Sequence, residues 1–201
     1  SLRGLSYFFT KAKVYGIDLK EKKFLDSNKI KTFIGSQNDS IFLNKFGKEN
    51  GAFDIIIDDG SHFVNHQFKT FHNLYKYLNN DGIYILEDLS GSYKISSNGD
   101  PKLSPKKNVP EFFSKLVHST NSKFLTKKIL KKKKYLDISK ILFFERAIVV
   151  QKKNKVLKGY SKKLAFQKLS KLNRNRKKTV IINNKKVKPF KTKLGLIKFR
   201  N

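Results

Sequence analysis

The sequence predicts an α/β protein whose sheet is mostly parallel. In the first half of the chain β-rich runs alternate with helix-periodic stretches, each run ends in polar and mostly acidic residues, and one run is apolar without alternation. Alternating strand and helix signals imply βαβ units, because a parallel neighbour is reached only by crossing back over the sheet.

Each element has its own signal. Val14-Tyr15-Gly16-Ile17-Asp18 is a short β-rich run that ends in an acid, and residues 31–35 form a second that ends in a turn. Residues 53–60, Phe-Asp-Ile-Ile-Ile-Asp-Asp-Gly, are the strongest strand. Three consecutive Ile cannot alternate between a dry and a wet face, so this strand is expected to be buried on both faces, as central parallel strands are. Residues 82–88 make the fourth run, also ending in acids. Between the last two, Phe63, Val64, Phe68, Phe71, Leu74, Tyr75 and Leu78 follow helical spacing, with Asn79-Asn80-Asp81-Gly82 as the stop.

Past Tyr93 the composition changes. Residues 96–110 read as a loop and residues 111–117 as a helix, while residues 138–144 and 147–151 read as two strands around a tight Glu145-Arg146 connection. That hairpin is expected to finish the sheet. The domain therefore spans residues 1–151, and residues 152–201 form a Lys-rich extension. The extension holds a basic amphipathic helix signal (Leu164, Phe166, Leu169, Leu172) and a short strand at residues 179–182.

Composition bounds the class. The 201 residues include 18 Phe and 8 Tyr, enough for one sizeable core, and no Cys, which excludes disulfides, thiolate metal sites and thiol catalysis. Absence of Cys fits a cytoplasmic protein, and no apolar run approaches a membrane span. The net charge of +30 is unevenly placed: residues 1–93 hold 12 basic and 11 acidic side chains, residues 94–201 hold 33 and 4. The first half is thus electrically ordinary, and the charge belongs to the second.

The chemistry sits where the strands end. In open α/β sheets ligands bind beyond the carboxyl ends of the strands. There this chain places Asp18, then Gly35-Ser36-Gln37-Asn38-Asp39, then Asp58-Asp59-Gly60-Ser61-His62, then Glu87-Asp88. Any one of these acids alone reads as a turn or helix-cap residue. Together on one rim they repel one another unless a cation or ligand uses them. A strand-ending acid such as Asp18 suits the hydroxyls of a ribose. Asp59, Glu87 and Asp88 can supply the hard oxygen ligands that Mg²⁺ prefers. His62, three residues after Asp59 and at the start of the helix, suits a general base, with helix capping as its plainer role. His66 lies one turn on, but no Glu stands between the two in the HExxH manner, so a zinc site is not expected. His72 and His118 have no constellation around them.

The stretches VYGIDL, GSQND, FDIIIDDGSHFVNHQ and DGIYILEDLSGSY resemble the S-adenosylmethionine (SAM)-dependent O-methyltransferases of macrolide-sugar and cephamycin-type biosynthesis. The resemblance covers residues 1–93 well and the 138–151 hairpin loosely, and IDDGSH followed by the Glu-Asp pair is its most specific part. It implies a Rossmann-like class I methyltransferase sheet, mostly parallel with a C-terminal antiparallel hairpin. It implies Asp18 on the SAM ribose, Gln37 near the adenine and Asp58 near the methionine moiety. It further implies Asp59, Glu87 and Asp88 on Mg²⁺, with His62 as general base. The family often has Asp where Ser36 stands, which weakens the adenine contact. In the family a strand and a glycine-rich loop come before the first helix, and Ser1-Leu2-Arg3-Gly4 fits only the end of that turn, so the resemblance implies that these 201 residues lack both. The 201 residues alone are therefore expected to bind SAM weakly or not at all.

The expected activity is methyl transfer to a hydroxyl of a sugar or glycosylated small molecule. Two rivals stand beside it: an RNA methyltransferase with a basic RNA-binding extension, and a non-catalytic polyanion-binding remnant of the same fold. For residues 94–201 the functional reading is an anionic polymer or a membrane surface. The plainer reading is a solvated Lys-rich extension.

Overall fold

The computed structural model describes residues 2–154, apart from 133 and 136, together with two short strands, Val180–Ile182 and Lys185–Val187. The amphipathic pattern of Leu164 to Leu172 lies outside the described residues.

Two parallel ladders organise the first half. Strand β1 (Val14–Asp18) pairs with β2 (Ile30–Ile34), Val14 opposite Ile30 and Asp18 opposite Ile34. Strand β3 (Phe53–Asp58) pairs with β4 (Leu78–Glu87), and its last residue, Asp58, stands opposite Leu86. The predicted hairpin is present as β5 (Ile138–Phe143) and β6 (Ala147–Lys152). β6 runs antiparallel between β4 and β5, so the second sheet has the order β3-β4-β6-β5. Val180–Ile182 (β7) and Lys185–Val187 (β8) form a separate antiparallel pair, and the first of them falls where the sequence predicts a strand.

No backbone ladder joins β1 to β3. The two sheets are held together by aromatic side chains instead. Tyr15 on β1 meets Phe53 on β3 with ring centroids 6.1 Å apart, and Phe46 stacks on Phe53 at 5.7 Å. Phe46 belongs to helix α2 (Ser40–Asn50), whose start is set by Asp39: its carboxylate accepts from the amides of Ile41 at 2.8 Å and Phe42 at 3.0 Å. Helix α1 (Leu2–Phe8) packs against β1, where Gly16 leaves room for Leu2.

Helix α3 (Val64–Leu74) covers the second sheet through Val64, Phe71 and Leu74. Phe71 meets Tyr84 edge-to-face at 5.2 Å and Phe113 at 4.8 Å, and all three are fully buried. Phe113 comes from α4 (Val109–Ser114), which opens with Asn108 accepting from Glu111 N at 3.0 Å and with Pro110 in its first turn. Two short helices follow, α5 (Val117–Thr120) and α6 (Lys127–Leu130).

Two expectations are corrected. The helix ends at Leu74, not at Asn79, because a 3₁₀ turn (Tyr75–Tyr77) already delivers Leu78 into β4 opposite Phe53. Asn79, Asn80 and Asp81 are thus strand residues, with the irregularity absorbed by Asp81 at φ 60°. Nor are the three Ile of β3 buried alike: Ile56 is 9% exposed, but Ile55 and Ile57 are each 39% exposed. Side chains alternate along a strand, so Ile55 and Ile57 share one face and Ile56 the other, and only the face carrying Ile56 is well covered. Among the described residues no helix is long and apolar enough to cross a membrane.

Candidate active site at the carboxyl edge of the sheets

The carboxyl ends of both parallel ladders meet, and the residue that joins them is Gln37. It follows β2, and its Nε2 donates to Oδ1 of Asp58 at the end of β3. Its Oε1 accepts from the Ser61 amide at 3.0 Å and the Ser61 hydroxyl at 3.1 Å. The turn after β3 passes close beneath this side chain, since a Cβ on Gly60 would lie 2.4 Å from Gln37 Oε1.

Asp58 is buried, and its Oδ2 also accepts from the Tyr84 hydroxyl at 3.2 Å. Burial outweighs these donors and the Gly60 amide, and pushes the carboxyl up to about 7. Tyr84 is in turn raised well above the usual phenol range, by its own burial and then by the Asp58 charge.

Asp59 is exposed, and His62 Nε2 lies 4.0 Å from its Oδ1. His62 does not cap the helix: Phe63 occupies the N-cap, and His62 precedes it at φ 59°, in the left-handed region. The His62 Nδ1 is buried with no hydrogen-bond partner. Its carbonyl presses on the turn Leu89–Tyr93, where a Cβ on Gly91 would come within 2.3 Å. His66 points elsewhere, its Nδ1 2.7 Å from Ser61 Oγ. Burial, then Lys69, lowers the pKa of His66.

At the end of β4 the Glu87 carbonyl accepts from Gln67 Nε2 at 3.1 Å, and Gln67 is itself buried in α3. Asp88 takes a left-handed backbone at φ 47°, accepts from Ser90 N at 3.4 Å, and pairs with Arg146 Nη2 at 3.0 Å. The Ser90 hydroxyl, with the Ser90 amide and Arg146, holds the Asp88 carboxyl below its ordinary value. Asp18 is engaged locally, accepting from Lys20 N at 2.8 Å and lying 3.8 Å from Lys22 Nζ.

The structure thus brings together Gln37, Asp58 and Ser61, with Asp59 and His62 beside them, and sets Asp88 against Arg146. Among the described residues no three His, Asp or Glu groups converge closely enough to hold a metal ion. By chemistry the donor set still fits a hard divalent cation, because Asp59 and the Glu87-Asp88 pair end adjacent strands and offer carboxylate oxygens. Sequence reasoning missed Tyr84, Gln67 and Arg146. Arg146 had a usable signal in the Glu145-Arg146 hairpin, which returns the chain to the end of β4. Next to the rim a shallow cleft of about 310 Å³ is lined by Tyr93, Leu103, Pro110, Glu111, Ser114 and Phe143, among others.

The strand order β3-β4-β6-β5 with β6 reversed, and the polar rim at the carboxyl edge, define the class: this is the sheet of a class I methyltransferase. More particularly, the chain is similar to sugar O-methyltransferases of antibiotic biosynthesis. It is 41% identical over 93 residues to the 8-demethyl-8-(2-methoxy-α-L-rhamnosyl)-tetracenomycin-C 3′-O-methyltransferase of Streptomyces olivaceus, a match covering 46% of this chain and 24% of that protein. It is 38% identical over 100 residues to the demethylmacrocin O-methyltransferase of Streptomyces fradiae, covering 50% of this chain and 25% of the relative. The mycinamicin VI 2″-O-methyltransferase of Micromonospora griseorubida is 39% identical over 93 residues, covering 46% and 23%. Among solved structures, the MycE methyltransferase of the mycinamycin pathway, in complex with Mg and SAH, superposes with a TM-score of 0.71 at 27% identity. That match covers 80% of this chain and 42% of MycE. A MycE complex that also holds mycinamycin VI gives a TM-score of 0.66 at 28% identity, covering 76% and 39%. No family model matches. The chain spans about a quarter of the length of the curated relatives it matches. The resemblance read from the sequence is borne out, and so is the fold class.

Proposed function

We propose that this chain carries the base-bearing and metal-bearing part of a SAM-dependent O-methyltransferase acting on a sugar hydroxyl of a glycosylated small molecule. The observation that carries the reading is the rim itself. Acids and a histidine end the strands of a class I methyltransferase sheet, within a chain 41% identical over 93 residues to a sugar O-methyltransferase. Mg²⁺ bound by Asp59, Glu87 and Asp88 would lower the pKa of an acceptor hydroxyl, and SAM would supply the methyl group. His62 is the proton acceptor, with its Nε2 4.0 Å from Asp59 Oδ1. Asp18 binds the ribose, Gln37 borders the adenine, and Asp58 faces the methionine moiety of SAM. The cleft beside the rim, with Tyr93 and Phe143 half exposed, suits the apolar body of an acceptor whose sugar reaches the base.

The test fuses the chain behind the first strand and glycine-rich loop of a methyltransferase relative, incubates the fusion with SAM, Mg²⁺ and a glycosylated macrolide, and reads methylated product by mass spectrometry. Loss of product on adding EDTA and its return with Mg²⁺ are expected. Product formation indifferent to EDTA would remove the metal from the reading.

A second reading concerns the basic half, where 33 Lys and Arg stand against 4 acids over residues 94–201. That excess supports contact with an anionic polymer or membrane surface. Salt-dependent retention on heparin, lost on deleting residues 155–201, is its test.

A further inference from the structure

We infer that Arg146 is an internal counter-cation that occupies Asp88 when no divalent ion does, so that the guanidinium and the ion compete for one carboxylate. The inference rests on the metal reading above and adds to it a residue that the sequence left unassigned.

The backbone sets up the competition. β4 and β6 pair down to Glu87 opposite Ala147, so the next residue of one strand and the preceding residue of the other, Asp88 and Arg146, are brought side by side. The Leu89 amide reaches the Arg146 carbonyl at 3.4 Å, extending the contact by one step. The ion pair itself, Nη2 to Oδ2 at 3.0 Å, results from this register.

Asp88 has little other freedom. Its backbone sits in the left-handed region, and one carboxylate oxygen already accepts from the Ser90 amide. The other oxygen, Oδ2, is the one that faces Arg146 and that an arriving cation would contest. The Arg146 side chain, by contrast, is 71% exposed and can swing into water at small cost, since exposed ion pairs are screened and weak. A divalent ion carries twice the charge and binds oxygens directly, so it wins the exchange when present.

The experiment measures Mn²⁺ binding to the 201-residue chain by electron paramagnetic resonance, with no SAM or acceptor, for wild type, R146Q, D88N and the double variant. Thermal unfolding of each checks that it is folded. R146Q is expected to bind Mn²⁺ about threefold to tenfold more tightly than wild type at low salt, with the gap shrinking as KCl rises. In the D88N background, R146Q should change affinity little. Equal or weaker binding by a folded R146Q would overturn the inference, weaker binding marking Arg146 as a prop that holds Asp88 in place for the ion. An R146Q effect that persists undiminished without Asp88 would also overturn it, as mere removal of a nearby positive charge. If neither wild type nor R146Q binds Mn²⁺, the metal reading itself falls.

Discussion

Gln37 and Asp58 are hydrogen-bonded across the junction of two sheets that share no backbone ladder. The contact ties the segment after β2 to the end of β3, and the same Gln37 side chain also holds Ser61. One amide therefore sets the position of the turn that carries Asp59 and His62.

Replacing Gln37 with Ala should loosen that turn. Asp58 would lose a donor while staying buried, and a buried polar group left short of a partner costs about 1–3 kcal/mol. Urea unfolding should show a lower midpoint with an unchanged slope. A Q37A variant as stable as wild type would mean that the turn is held from elsewhere.

Asp58 predicts an unusual pH dependence. Its folded pKa, about 7, lies above the unfolded value of 3.8. The folded state therefore binds the proton more tightly, and the contribution is full below about 4 and lost as pH rises through about 7. Between pH 5 and 8 wild type should lose on the order of 2–3 kcal/mol relative to D58N, whose side chain cannot ionise. Urea midpoints of both proteins at the two pH values check the sign. Parallel pH profiles would show that Asp58 does not titrate in this range.

His62 carries the catalytic prediction. H62A should lower turnover by at least about a hundredfold, the low end for a general base, and leave SAM affinity unchanged. Single-turnover rates and calorimetric SAM titration, compared in a background that methylates the macrolide acceptor, separate the two effects. Retained turnover would take His62 out of the mechanism.

Gly91 should matter through His62 rather than through any chemistry of its own. A Cβ there would lie 2.3 Å from the His62 carbonyl, and Gly99 makes the same kind of approach to the Gly91 carbonyl at 2.1 Å. G91A forces one backbone segment to move, at a cost of about 1–3 kcal/mol. It should lower the thermal midpoint and slow turnover together, and a neutral G91A would show that the turn is free to shift.

Much of the fold was legible because its signals are local. The β-rich runs, the acids that end them and the spacing of Phe68, Phe71 and Leu74 reflect strand and helix geometry within a few residues. The hairpin around Glu145-Arg146 was legible for the same reason. Burial of β3 was misread, because three Ile in a row report apolarity and not whether each face of the strand is covered by packing from elsewhere in the chain. The helix stop was misread as well, since Leu78 leaves the helix for a strand partner 25 residues away.

For the site, the sequence alone determined the chemical types and their common edge: Asp18, Gln37, Asp58, Asp59, His62, Glu87 and Asp88 all lie at or just past strand ends, and a parallel sheet sends those ends to one side. Only the tertiary structure decided how they are placed and paired. It buried Asp58 under Tyr84 and Gln37, turned the His62 backbone left-handed against Gly91, and set Asp88 on Arg146. Each of these depends on contacts between residues far apart in the chain. Burial, approach distance and charge pairing are properties of the packed neighbourhood, which no stretch of sequence contains by itself.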